Sequence, residues 1–148
     1  MCVFYTHHFC SDRKGAKDSK GDRMKAIVAV NNLGFIGKGD HLLWSNKEDL
    51  RHFKKMTEYS RLLVGYRTAQ GLPTLRNREL IVIDRRDISA QHYGDAEWCI
   101  GGKKTYEDYC HLFTELHISH IDDNQIGDVT FPDLKRLNPN CKIFNYYF

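Results

Sequence analysis

The chain has no apolar run long enough to cross a membrane, and its first residues lack the apolar core of a secretory signal. Both absences point to the cytoplasm. Charge of one sign is equally scarce, with 22 basic residues against 19 acids, a formal net charge of +3, and no concentrated basic field. Nothing here argues for a nucleic-acid partner. The five cysteines, at positions 2, 10, 99, 110 and 141, show no paired spacing, and their odd number fits reduced thiols rather than a disulfide framework. What the chain does have is 148 residues with 41% hydrophobic content. That is enough for one ordinary core and one globular domain.

Residues 1–23, MCVFYTHHFCSDRKGAKDSKGDR, stand apart from the rest. They sustain neither a helical nor a strand period, and their polar, glycine-containing second half is expected to stay disordered. Cys2, His7, His8 and Cys10 have no spacing of a common structural zinc site, so no metal is expected. Lys20-Gly21-Asp22 can be encoded by a purine-rich ribosome-binding sequence. The reading is therefore that synthesis starts at Met24 and that residues 24–148 form the domain.

From Met24 onward the pattern is strand, loop, helix, strand. KAIVAV (25–30), RLLVG (61–65), ELIVID (79–84), EWCIGG (97–102), ELHISHID (115–122) and CKIFNYYF (141–148) read as strands, several with the continuous apolar character of strands covered on both faces. KTYEDYCHLF (104–113) reads as an amphipathic helix. NNLGFIGKGDHLLW (31–44) holds too many breakers for regular structure and reads as a mobile loop. Strands alternating with helices predict an α/β domain with a mostly parallel sheet, whose ligands bind beyond the carboxyl ends of the strands.

WSNKEDLRHFKK (44–55) opens the first helix. Ser45 with Glu48 three residues on predicts a capping box, which makes Glu48 structural. Counted from that cap, Asp49 is the fourth helical residue, where an apolar partner for Trp44 is usual. Asp49 shares a face with Phe53, one turn on, and that face should look inward. A carboxylate there loses hydration, which raises its pKa and makes it a strong partner for a pair of donors. The alternative is a boundary acid paired with an arginine. His52, by the same geometry, belongs to the opposite, solvated face.

Three strand ends carry groups suited to phosphates. Gly101-Gly102 lies between a strand and a helix, where exposed backbone N–H groups can meet an anion, although such a pair can also merely close a tight turn. Gly65 is followed by Arg67 and Thr68, and ELIVID by Arg85. Together they suggest a long, multiply charged nucleotide lying across the sheet edge. Cys99 and Cys110 have no base placed for them and read as small core residues.

In order and spacing, IVAVNNLGFIG, LLW, EDLRHFKKMT, VGYRT, LPTL, IGGKKTY, ISHID and GDVTFPD resemble bacterial-type dihydrofolate reductase from Met24 to about Asp133. The resemblance implies that Asp49 is the acid that binds the pterin ring, with Trp44 beside it, Ser119 hydrogen-bonded to it and Phe53 against the substrate. Arg78 matches the arginine that clamps the substrate's α-carboxylate, with Arg76 as the alternative. Ala29, Ile36 and Gly37 fall near the nicotinamide of NADPH, Arg67 and Thr68 at its phosphates, Gly101, Gly102, Lys104 and Tyr106 along the turn and helix, and Arg85 at the 2′-phosphate. Leu42 takes the place of the family's loop methionine over the active site.

The implied reaction is hydride transfer from NADPH to C6 of dihydrofolate with protonation at N5, by a monomer. The implied fold is a dihydrofolate-reductase-like mostly parallel sheet flanked by helices, with departures. One helix and strand unit is missing between ELIVID and EWCIGG, and part of the C-terminal strands is missing after FPD. Lys103 replaces a usual third glycine. An exposed sheet edge is expected, at which two copies could pair. These losses leave a second class of function open, a shortened relative that binds folate or nucleotide without turnover or serves as a structural module, and a third, a cousin that reduces another pterin or a pyrimidine.

Overall fold

Apolar, β-branched runs set the frame. In a computed structural model that describes residues 23–39, 43–83, 93 and 95–148, β1 spans Met24–Asn31, β3 spans Arg61–Gly65, β4 spans Glu79–Ile83 and β6 spans Phe113–Ile121. The short β5, Trp98–Cys99, and the C-terminal β8, Lys142–Tyr147, complete a six-stranded sheet in the order β4-β3-β5-β1-β6-β8. Every pairing in it is parallel. The helices are α1 (Lys47–Thr57), α2 (Tyr66–Gln70), α3 (Lys103–Tyr109, continued by a 3₁₀ turn over Cys110–Leu112) and α4 (Leu134–Leu137).

Alternation along the strands divides the core in two. Ala26, Val28, Leu63 and Cys99 face one side, where they pack with Tyr106 and Cys110 of the α3 segment. Ile27, Leu62 and Trp98 face the other, against Phe53 and Met56 of α1 and Leu75. A parallel sheet buried on both faces needs this double set of apolar residues. The pocket described below lies on the α1 side.

Three local expectations are corrected. The segment 31–44 is not wholly irregular: β2 (Phe35–Gly37) pairs antiparallel with β7 (Val129–Thr130). The Asn31 side-chain oxygen accepts from the Leu33 and Phe35 N–H groups, and Gly34 at φ +88 completes the reversal, so the breakers form a turn into a strand. The α1 cap is Asn46 rather than Ser45, its Oδ1 accepting from the Asp49 N–H at 2.9 Å. Asn and Ser cap equally well, and with the later cap Leu50, not Asp49, stands where an apolar residue is usual. The helix predicted to Phe113 ends at Leu112, and Phe113 opens β6.

Among the described residues nothing pairs with the outer edge of β8, where Ile143, Phe144 and Tyr147 are exposed. Most of the connection between β4 and β5, where a missing helix and strand unit is expected, lies outside the described residues. The leader, with Cys2, His7, His8 and Cys10, lies outside the described residues up to Asp22.

Candidate active site

α1 carries a stripe at four-residue spacing, Asp49, Phe53 and Thr57, that faces the sheet and the segment before β4. The Asp49 carboxylate accepts a hydrogen bond from the buried Ser119 hydroxyl on β6. Burial pushes this acid above the ordinary carboxylate range, opposed by the Ser119 hydrogen bond and by nearby His52. Trp44, Ser45, Asn46, Asp49 and Leu50 line a cavity of about 170 Å³. The Trp44 indole Nε1 is buried there with no hydrogen-bond partner among the described residues, so a donor awaits an acceptor beside the acid.

At the other end of the stripe, Arg78 lies over the Phe53 ring, 5.8 Å from its centroid. Its Nε donates to the Arg76 carbonyl at 2.9 Å, and its Nη1 lies 3.4 Å from Thr57 Oγ1. Arg76 is exposed, so of the two candidate arginines the structure brings Arg78 to Phe53. Desolvation pulls the guanidinium below its ordinary value, with Glu58 opposing. Asp49 and Thr57 are separated by two turns of helix, about 12 Å along the axis. A ligand lying on α1 would meet an acid, then an aromatic ring, then a cation. A second cavity of about 650 Å³, lined in part by Leu72, Leu75 and Arg78, opens at the arginine end.

The glycine turn forms beyond the carboxyl ends of β3 and β5. Gly65 N–H donates to the Gly101 carbonyl at 2.8 Å, which ties the two ends together. A Cβ on Gly102 would stand 2.9 Å from Thr68 Oγ1, and Gly101, at φ +116, rests on the Tyr106 ring. A side chain at Gly102 would have to displace the Thr68 hydroxyl, and the backbone conformation at Gly101 disfavours one there. Tyr106 is buried under the turn, donating its hydroxyl to the Ile27 carbonyl at 2.7 Å, so the turn rests on it from inside. Arg67 and Lys104 are exposed, Lys104 pairing with Asp108 at 3.7 Å. Lys103 reaches Thr130 on β7 at 3.4 Å.

Ala29 lies beside Ser119 in the β1–β6 register, while Ile36 packs on the core and buried Gly37 accepts at its carbonyl from the Asp128 N–H. These three stand at the junction of β1 with the β2–β7 ribbon. Leu42 and Arg85 lie outside the described residues. Among the described residues there is no cluster of three or more His, Cys, Asp or Glu able to hold a metal. The Cys99 thiol is pushed up to about 12 by burial and that of Cys141 to about 11, which leaves neither as a thiolate near neutral pH.

His52 corrects the sequence reading. It is not on a solvated face: its ring packs on Tyr146 at 4.2 Å and on Phe148 at 5.4 Å. Spacing of three residues puts His52 on the flank beside Asp49 rather than opposite it, and the rings that cover it arrive on β8, which helix geometry does not show. Sequence reasoning also missed Gln125, whose side chain donates to the Leu43 carbonyl at 2.6 Å and to Asp123 at 2.9 Å, tying the approach to α1 to the segment after β6. No local pattern announces a tie across so much chain.

Fold and pocket together define a parallel α/β domain with a half-buried acid on its first helix and a glycine cradle across the sheet. A family model described as dihydrofolate reductase matches residues 23–141. The chain belongs to the dihydrofolate reductase family of enzymes. It is 29% identical over 146 residues to the dihydrofolate reductase of Buchnera aphidicola subsp. Schizaphis graminum (strain Sg), a match covering 85% of this chain and 86% of that one. It is 34% identical over 130 residues to dihydrofolate reductase type 5 of Escherichia coli, covering 76% and 83%. Among solved structures, a dihydrofolate reductase from Enterococcus faecalis complexed with NADP(H) and RAB-propyl matches with a TM-score of 0.66 at 26% identity, over 77% of this chain and 79% of that chain.

Proposed function

We propose that this chain reduces 7,8-dihydrofolate to tetrahydrofolate with NADPH, and that Asp49 grips the pterin. The observation that carries the reading is the Asp49 carboxylate held by Ser119 at one end of a stripe whose other end carries Arg78 over Phe53. Dihydrofolate is an elongated molecule with a donor-bearing heterocycle at one end and carboxylates at the other, and the stripe matches that polarity. The half-buried acid orients the ring through paired hydrogen bonds and raises the basicity of N5, where a proton is delivered from water. Phe53 packs on the flat part of the substrate, and Arg78 takes its α-carboxylate as a charge-assisted pair.

The chain's residues fit a dinucleotide. The cradle at Gly101 and Gly102, into which a Cβ would intrude, admits a pyrophosphate close to the backbone, and Thr68 stands beside it. Arg67, Lys104 and Arg85 offer cations for phosphates, Arg85 for the 2′-phosphate. Bound NADPH supplies the hydride. Ala29, Ile36 and Gly37 shape the nicotinamide site, Tyr106 supports the glycine turn from below, and Leu42 with Trp44 keeps apolar bulk over the reacting atoms, excluding water.

The working protein is a cytoplasmic monomer. No helix among the described residues is long and apolar enough to cross a membrane. NADPH oxidation in the presence of dihydrofolate tests the reading. Asp49→Asn should lower kcat/KM by roughly 10²–10⁴, the range for loss of a positioned acid or base. A folded parent that binds dihydrofolate yet oxidises no NADPH would replace this reading with that of a binding module.

A further inference from the structure

Phe144 and Tyr146 of β8, with Phe148 just beyond, share one face by the two-residue period. That face meets two imidazoles. His117 on β6 is buried and stacks on Phe144 at 4.7 Å, with Nδ1 2.8 Å from the Tyr146 hydroxyl and Nε2 2.9 Å from Glu115 Oε1. The other side of the cluster is His52 on α1, packed on Tyr146 at 4.2 Å and Phe148 at 5.4 Å. His52 follows Asp49 by three residues and so adjoins it on the helix surface. Its Nε2 is buried without a hydrogen-bond partner among the described residues. An imidazole is thereby caged by rings, next to the acid that the pocket is built around.

We propose that His52 is a positioning residue for Asp49: held by Tyr146 and Phe148, its imidazole supplies a proton-dependent positive charge that keeps the acid ionised, and able to grip the pterin, at lower pH. The proposal rests on the reading of Asp49 as the pterin acid. On α1, Asp49 favours the imidazolium and Lys55 opposes it. On β6, His117 opposes it, with Glu115 bonded behind. From β8 come the Tyr146 ring, its hydroxyl directed at His117, and the apolar Phe148 ring. Burial outweighs the attraction and holds His52 below the ordinary imidazole value, while Asp49 stands above the ordinary carboxylate value. The two groups converge from opposite sides, so the protonation of each depends on the other.

The test is the pH profile of kcat/KM for the full chain and for His52→Phe, which keeps a ring in the cage and removes the proton. Without the neighbouring positive charge, Asp49 is protonated at higher pH. The variant should therefore lose roughly threefold more kcat/KM on the acid limb than on the neutral plateau, the scale of a partly exposed ion pair. Profiles that superimpose, or an equal loss at every pH, would show a packing role and overturn the proposal. His52→Gln serves the same comparison if the phenylalanine variant does not fold. A measurement independent of turnover is the NMR titration of the His52 imidazole in ligand-free protein. Its midpoint should move to lower pH in Asp49→Asn, and an unmoved midpoint would also overturn the proposal. A parent that oxidises no NADPH, with a midpoint that still moves, would reject the reading of the reaction and leave the coupling established.

Discussion

At the acid end of the pocket, distant parts of the chain converge on one another: Asp49 and Phe53 from α1, Arg78 from the segment before β4, Ser119 from β6 and Trp44 from the approach to α1. At the glycine end, backbone from two strand ends makes the site, and the cationic side chains Arg67 and Lys104 stand in solvent. The acid end holds its polar groups half-buried, with Asp49 beside Ser119 and Arg78 on the Arg76 carbonyl, and of these groups only the Trp44 indole N–H stands unpaired among the described residues, so most of its geometry exists before a ligand arrives. The glycine end is marked by what is missing, a Cβ at Gly102, and its exposed charges are screened by water. On the proposed function, one half would recognise by placed groups and the other by the space its backbone leaves. Each should fail in its own way.

The largest effect expected of that contrast is at the acid end. Arg78→Ala should raise KM for dihydrofolate by roughly 10- to 100-fold, the worth of a charge-assisted hydrogen-bonded pair, while KM for NADPH moves little. Equal changes in both constants would show that the two ends are not separate. At the glycine end, Gly102→Ala sets a methyl group against Thr68 and should raise KM for NADPH by roughly tenfold, with dihydrofolate binding to the free enzyme, followed by fluorescence, unchanged. An unaltered KM for NADPH would mean that the cradle is not the phosphate site.

The smallest effect is on stability. Asp49 is raised above its ordinary value in the fold, so its folded form prefers the proton and its ionised form costs stability as pH rises through that range. Asp49→Asn should therefore melt roughly 1–3 °C above the parent at neutral pH, an effect kept small by partial exposure, and the gain should vanish in acid, where the parent's carboxyl is itself protonated. Calorimetry across pH decides it. A variant less stable at neutral pH would mean that the Ser119 hydrogen bond outweighs the burial of charge.

Much of the frame was legible because its cause is local. β1, β3, β4 and β6 fall within a residue or two of their apolar runs, since a strand buried on both faces must be apolar at successive positions. Asp49 and Phe53 could be put on one face from helical spacing. The cap could not be settled, because Ser45 and Asn46 are both good caps and the choice fixes the helix register by one residue. β2 was missed because its partner, β7, is more than ninety residues away. His52 was misplaced because a residue three on from Asp49 lies beside it rather than opposite, and its cover by rings from β8 is something no helix pattern encodes. The resemblance named Tyr106 for the cofactor, and only the packing shows it lying beneath the glycine turn.

By itself the amino-acid order determined which segments could be strands, that one helix would carry a carboxylate near an aromatic ring, and that glycines would interrupt the chain after two strands. Periodicity, propensity and backbone freedom act over a few residues, and a linear string records them in full. The tertiary structure decided which hydroxyl meets Asp49, which arginine covers Phe53 and which rings close over His52. Those choices follow from how strands register across the sheet, where groups far apart in the chain come within hydrogen-bond reach and lose water together.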